Sequence, residues 1–354
     1  MSDPISPYSL DQIYTASSVG SLDKALANNI YGLNNTQLPG FLASNRDNQG
    51  LIFVTRPQLN LQKFNIRNVR ELYPLLTEDP RSLAKAMRMI LDPRIGAGYT
   101  IHRRGKSSHV PPTSSYMVDN DQAFIPFLTN NAISSSGWPD MRLNTSTSDP
   151  GLFKQVVVLP DDALRNYGEN DITINLQNTK GDPVTLMSFV WIFYMKAVKL
   201  NYLAPYFDYL FNNRRDFDTR IYRVVLDQNK DYVTKILASG PGFPVSCSIG
   251  MFGDFNRATP FSEQTSEISV TFKTVGSFFI DPLIVAHFNR VVQMFCVSMR
   301  DDKRAGSMVK LSKFEQATFR HRCYPRIDET TMAFEWWVKR ATYDELFVNS
   351  ELST

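Results

Sequence analysis

The sequence is short of cysteine, with three in 354 residues: Cys247, Cys296 and Cys323. An odd number with no CxxC spacing supplies neither a disulfide framework nor a zinc site, so the three read as buried thiols of a chain made in a reducing cytoplasm. Net charge is scarce as well, because 38 basic and 35 acidic residues leave only +3, far from the basic excess of a dedicated nucleic-acid binder. Long apolar runs are missing. The longest, Leu186 to Met195, is interrupted by Ser188 and closed by Lys196 and Lys199, which suits a buried helix rather than a bilayer span. Met1 to Tyr8 has neither the basic start nor the apolar stretch of an export signal.

Motifs that carry chemistry are also absent. Gly96-Ala97-Gly98 lacks the third glycine and the preceding strand of a phosphate cradle, and no G-x-S-x-G elbow occurs. His102, His109, His287 and His321 show no ligand spacing and read as loop or interior histidines. Asp161-Asp162 and Asp301-Asp302 read as exposed acids near turns rather than as a catalytic pair. The expectation is therefore no catalytic residue, no metal and no cofactor, in a protein that is not an enzyme. A hydrolase or nuclease built on Cys323 or an acidic pair beside a histidine is the alternative from another class.

What is present is a folding chain: 43% hydrophobic and 12% aromatic residues, with 24 Phe and 15 Tyr. Residues 1–50, rich in Ser, Asn and Gly, read as an N-terminal arm with a short amphipathic stretch over Leu22–Ile30. Residues 51–150 read as a first strand, Leu51–Pro57, followed by helices, the later ones over 81–91 and 121–133, and by loops at 96–115 and 144–151. The cluster Arg103, Arg104 and Lys106 in the first of these loops is a candidate phosphate contact.

Residues 151–300 are more regular. A strand is predicted over 154–159. Ile172, Ile174 and Leu176 alternate with Thr173, Asn175 and Gln177, and Ile268, Val270 and Phe272 alternate with Glu267, Ser269, Thr271 and Lys273. This is the period-two pattern of half-buried strands. Between them lie a helix from Pro183 to Leu200, a hairpin of Thr219–Leu226 and Val233–Ala238, the Gly240-Pro-Gly-Phe-Pro244 stretch and a polar loop over 253–266. Asp281-Pro282 reads as a helix start. Residues 301–354 form a C-terminal segment whose Trp336-Trp337 fits a helix or a strand.

The order strand, apolar helix, strand pair, Gly-Phe-Pro turn, polar loop and alternating strand resembles the tail-tube fold of contractile phages, above all the tube-initiating proteins at the top of a baseplate. The matching pieces are Asp171–Gln177, Pro183–Leu200, Thr219–Ala238, Phe243–Ile249 and Glu267–Phe279. Phe124–Thr129, Ser136–Asp140 and Gly181–Pro183 are similar to segments of virion structural proteins of large phages. The resemblance implies an α+β fold with an antiparallel β-sandwich or tube-type core, flanking helices and long loops. It also implies a structural protein of the virion, made in the host cytoplasm, a ring-forming component of the tail tube, of the tube-baseplate junction or of the baseplate hub, whose partners are copies of itself in a six-membered ring and other tail, baseplate or neck proteins. DNA would pass transiently through the channel, and no membrane is involved. Thr173, Asn175, Gln177, Glu267, Ser269, Thr271 and Lys273 are then candidate lumen or solvent faces. A peripheral baseplate, neck or collar protein is the alternative within the virion.

Overall fold

The computed structural model describes residues 47–345 apart from 98, 104–105, 111–114, 116, 141–144, 161–167, 213, 255–256, 258–265, 280–281 and 319–322. The expected arm helix over Leu22–Ile30, Arg104, the Asp161-Asp162 pair, most of the polar loop at 253–266 and the Asp281 helix cap lie outside the described residues.

In chain order, β1 (Asn48–Val54) precedes three short helices, α1 (Lys63–Ile66), α2 (Leu83–Leu91) and α3 (Pro93–Ala97), and a hairpin of β2 (Tyr99–Arg103) and β3 (Lys106–Val110). Next come α4 (Pro126–Asn130), β4 (Ala132–Ser136), a second hairpin of β5 (Thr145–Thr147) and β6 (Val158–Pro160), β7 (Glu169–Gln177), α5 (Pro183–Lys199) and α6 (Phe207–Phe211). Strands β8 (Ile221–Leu226), β9 (Val233–Ser239), β10 (Gly242–Cys247), β11 (Glu267–Val275) and β12 (Ser277–Phe279) follow, then α7 (Pro282–Phe295), α8 (Asp301–Ser307), β13 (Met308–Lys310), α9 (Lys313–Thr318), β14 (Tyr324–Ile327) and β15 (Phe334–Lys339).

The fold is α+β, built on two antiparallel four-stranded sheets ordered β1-β8-β9-β12 and β10-β11-β7-β4, with a smaller sheet β13-β15-β14. No barrel closes among the described residues. The two large sheets are joined by strands that pass from one to the other, β9 into β10 at Gly240 and β11 into β12 at Gly276. The crossing points touch, with the Gly240 amide donating to the Gly276 carbonyl at 2.8 Å. A Cβ on Gly240 would sit 1.7 Å from the Val275 carbonyl oxygen, so only glycine allows the corner to close.

Alternation decides what the sheets cover. Ile172, Ile174, Leu176, Ile268, Val270 and Phe272 are fully buried and share one core with Met187, Trp191 and Tyr194 of α5 and with Met87, Ile90 and Leu91 of α2. Helix α5 starts with Pro183 in its first turn, where a missing amide costs nothing, and ends on Lys196 and Lys199, which complement the helix dipole. At its β1–β8 end the first sheet is buried on both sides. Val54 and Ile221 face that core, while their neighbours Phe53 and Tyr222 face a second one with Phe124 and Phe288. There Phe53 lies 4.9 Å from Phe124 and 5.2 Å from Phe288, centroid to centroid. Helix α7 carries the small sheet, its buried Asn289 amide donating to the Ile327 carbonyl at 2.7 Å and accepting the Ile327 amide at 3.0 Å.

The strands at 51–57, 171–177, 219–226, 233–238 and 267–272 and the helices at 81–91 and 183–200 appear where the patterns place them, within a few residues. Other segments differ. The expected loop over 96–115 contains the β2–β3 hairpin, and the loop over 144–151 contains β5. The helix over 121–133 shrinks to Pro126–Asn130, because Ala132–Ser136 pairs with β7. The strand over 154–159 is confined to Val158–Pro160. Trp336 and Trp337 lie in a strand.

Candidate functional site, a polar sheet face

The β7–β11 ladder sets Gln177 opposite Glu267, Asn175 opposite Ser269, Thr173 opposite Thr271 and Asp171 opposite Lys273. Because the register is even, one face collects these side chains while Ile172, Ile174, Leu176, Ile268, Val270 and Phe272 enter the core. All seven face residues singled out by alternation are therefore brought together on adjacent strands. Strand β4 extends the face with Ser134 and Ser136, opposite Asn175 and Thr173, and β10 adds Ser246 opposite Thr271.

The side chains bond to one another across the strands. The Thr173 and Thr271 hydroxyls are 3.0 Å apart. Ser269 Oγ donates to Asn175 Oδ1 at 2.7 Å, and Asn175 Nδ2 donates to Ser134 Oγ at 2.9 Å. Lys273 is paired with Glu169 and lies 3.8 Å from Asp171, and these carboxylates hold its ammonium pKa above the ordinary value. Lys273 is the only basic residue in β4, β7, β10 and β11, against the acids Glu169, Asp171 and Glu267. The face thus offers hydroxyls, amides and a slight acidic excess, a surface that gives phosphates no cation to hold. Arg103 and Lys106 are paired in the separate β2–β3 hairpin, outside this sheet.

Sequence reading missed a second polar constellation, which fixes the segment between α5 and β8 to the body. Tyr206 donates to both carboxylate oxygens of buried Asp92, at 2.9 and 2.8 Å, and the Leu61 amide donates to Asp92 Oδ2 at 2.8 Å. Burial outweighs these bonds and pushes the Asp92 pKa up to about 7. Tyr194 donates to Asp216, whose pKa burial raises to about 6. Nearby, Arg56 buries its guanidinium against backbone carbonyls, Ile90 at 2.9 Å, Met89 at 2.6 Å, Asn120 at 3.0 Å and Gln122 at 2.9 Å; burial lowers its pKa to about 10, so it stays charged. No local pattern marks these residues, because their partners are distant in sequence.

Cys323 lines an open groove of about 670 Å³ with no histidine among the described residues of its lining, and burial pushes its thiol pKa up to about 11. Asp301 and Asp302 open the exposed α8. His287 shares a hydrogen bond with the Tyr222 hydroxyl, and burial beside Arg220 and Arg290 lowers its pKa to about 4. Among the described residues no group of three His, Cys, Asp or Glu side chains is placed to hold a metal, and no helix is long and apolar enough to cross a membrane.

A family model described as "Putative phage tail tube protein" matches residues 6–353. No curated protein matches. Among solved structures, the chain is similar to the tube-terminating cap of the anti-feeding prophage, at 14% identity and TM-score 0.28, over 44% of this chain and 81% of that one. It is also similar to the sheath/tube terminator of the extracellular contractile injection system PVC in its extended state (13% identity, TM-score 0.26, 44% and 86%). A chain of the PVC sheath-tube complex in the same state is similar too (15%, 0.28, 44% and 82%).

Proposed function

The chain belongs to the phage tail tube protein family, a structural component of the tail of the virion, and we propose that it is a ring subunit of the tail tube or of the tube's junction with the baseplate, with the β4-β7-β11-β10 face lining a channel for DNA. The observation that carries this reading is the face itself. A sheet whose inner side carries Ile172, Ile174, Leu176, Ile268, Val270 and Phe272 and whose outer side is chiefly Thr, Ser, Asn, Gln and acidic side chains, with Phe243 and Val275 at one end, has the chemistry of a water-filled bore. With Lys273 neutralised by Glu169 and Asp171, a polyanion can slide past without being retained.

The edges fit the same reading. Strands β4 and β10 end this sheet, and an unprotected edge is a template for further pairing. Pairing edge to edge around a rotation axis uses up such edges in a closed ring, as a heterologous contact with rotational closure does. The partners are accordingly copies of this chain and the neighbouring tail proteins. The cluster Arg103, Arg104 and Lys106, whose described members Arg103 and Lys106 belong to a separate hairpin, is proposed to contact phosphates outside the bore.

Light scattering followed by electron microscopy with class averaging tests the proposal. Closed rings or stacked tubes with an open channel are expected. A protein that stays a single chain at every concentration, alone and with its neighbouring tail proteins, overturns it.

A further inference from the structure

Among the described residues the β5–β6 hairpin has no other strand beside it, and every residue of its two strands is exposed. Its ladder continues from Ser148 to the Val157 carbonyl and from Gly151 to the Gln155 carbonyl, each at 2.9 Å, so the arm is ordered to its tip. At the tip Leu152 is 92% and Phe153 85% exposed, and the returning strand brings up Val156, Val157, Val158 and Leu159, all exposed. A lone two-stranded hairpin is marginal in water, and four consecutive apolar residues on it leave both faces unfavourably solvated. Such an arm is built to be covered.

The same chain has a surface of matching character. The groove of about 670 Å³ is floored by Phe53, Ile90, Phe124 and Trp336, and Met117 and Asp119 stand on its wall. It is large enough for a few apolar side chains, and it is open. The hairpin's one cation, Lys154, sits at the tip beside Phe153 with a left-handed backbone (φ 58°), and the groove lining carries the negative charge of Asp119, whose two oxygens accept, among the described residues, only neutral donors, the Tyr324 hydroxyl at 2.5 Å and the Asp121 amide at 3.1 Å.

We infer that the tip of the 145–160 hairpin of one copy inserts Leu152 and Phe153 into the groove of the next copy, where Lys154 meets Asp119. The occupant of the groove is thus a second copy of this chain, and the inference rests on the ring or tube reading above. The contact is heterologous, one surface against a different one, so it repeats from copy to copy and propagates around a ring or along a stack. Its energy comes from removing the tip from water, while the Lys154–Asp119 pair fixes which way the hairpin enters.

The test uses the full chain with Phe153→benzoylphenylalanine, an aromatic replacement at an exposed position that cross-links on illumination to whatever packs on it. Isotopically heavy and light copies are mixed and the linked peptides mapped. Cross-links between copies that join residue 153 to 117–124 or to 325–336 support the inference, as does a shift of Leu152→Asp/Phe153→Asp from assembled particles to single chains with an unchanged circular dichroism spectrum. If the unmodified protein assembles but residue 153 links elsewhere, or the double variant assembles normally, the hairpin contact is wrong and the ring reading stands. If the unmodified protein never assembles, both fall.

Discussion

The hydroxyls of Thr173 and Thr271 meet at 3.0 Å across two neighbouring strands, back to back with Ile172 and Phe272, which are paired in the same ladder and fully buried. One ladder therefore separates two jobs by side: the inner residues hold the fold and the outer ones make a surface. Thr173→Val with Thr271→Val should cost about 1 kcal/mol or less, the size of a cross-strand pair. Phe272→Ala should cost about 3–5 kcal/mol, because it leaves a cavity against Trp191. Urea midpoints at neutral pH measure both, and a costly double threonine variant contradicts the division.

If the polar face meets DNA, making it basic should make it sticky. The triple substitution Asn175→Lys, Gln177→Lys and Ser269→Lys is expected to fold and assemble but to retain nucleic acid. The retained material should be released by salt, since each phosphate contact contributes about 0.9 to the slope of log K against log salt. Absorbance ratios of assembled particles washed at rising salt give the result, and particles free of nucleic acid at every salt concentration count against a DNA-facing role.

Gly240 and Gly306 should respond oppositely to alanine. At Gly240 the new Cβ collides with the Val275 carbonyl, so the corner between the two large sheets must open, and soluble yield or thermal midpoint should fall sharply. At Gly306, inside the exposed α8, nothing lies within 4 Å, and alanine should add about 0.5–1 kcal/mol of stability through helix propensity.

Arg56 should tolerate no replacement. Truncation to Ala leaves several buried carbonyls without a donor, and lysine cannot span them with one ammonium. A loss of about 3–5 kcal/mol is expected for Arg56→Ala, and most of it for Arg56→Lys, read from chemical denaturation.

Asp92 makes stability fall as pH rises. Its folded pKa of about 7 lies above the ordinary 3.8, so between those values the folded state holds a proton that the unfolded state has released. That contribution is fully present below pH 3.8 and lost as pH passes through 7. Asp92→Asn, which cannot ionise, should flatten the decline, with the larger gain over the unsubstituted protein at pH 8 than at pH 5. Asp216 and His287 titrate equally in both proteins, so the difference between their denaturation midpoints across pH isolates Asp92.

The sequence by itself determined the elements whose patterning is local. The alternation in 171–177 and 267–273 set which side chains share a face before any partner strand was known, because a strand's side chains point to opposite sides whatever it pairs with. The apolar Pro183–Lys199 run dictated a buried helix for a similarly local reason. Only the tertiary structure decided that β7 and β11 are neighbours in even register, which turns two polar faces into one lattice, and that Ser134 and Ser136, just past the helix expected over 121–133, join it as a strand. Strand pairing, like the Asp92–Tyr206 latch and the Arg56 fork, joins residues far apart in the chain. Such contacts form only where the whole fold brings their backbones together, and a stretch of sequence holds no record of what it will meet.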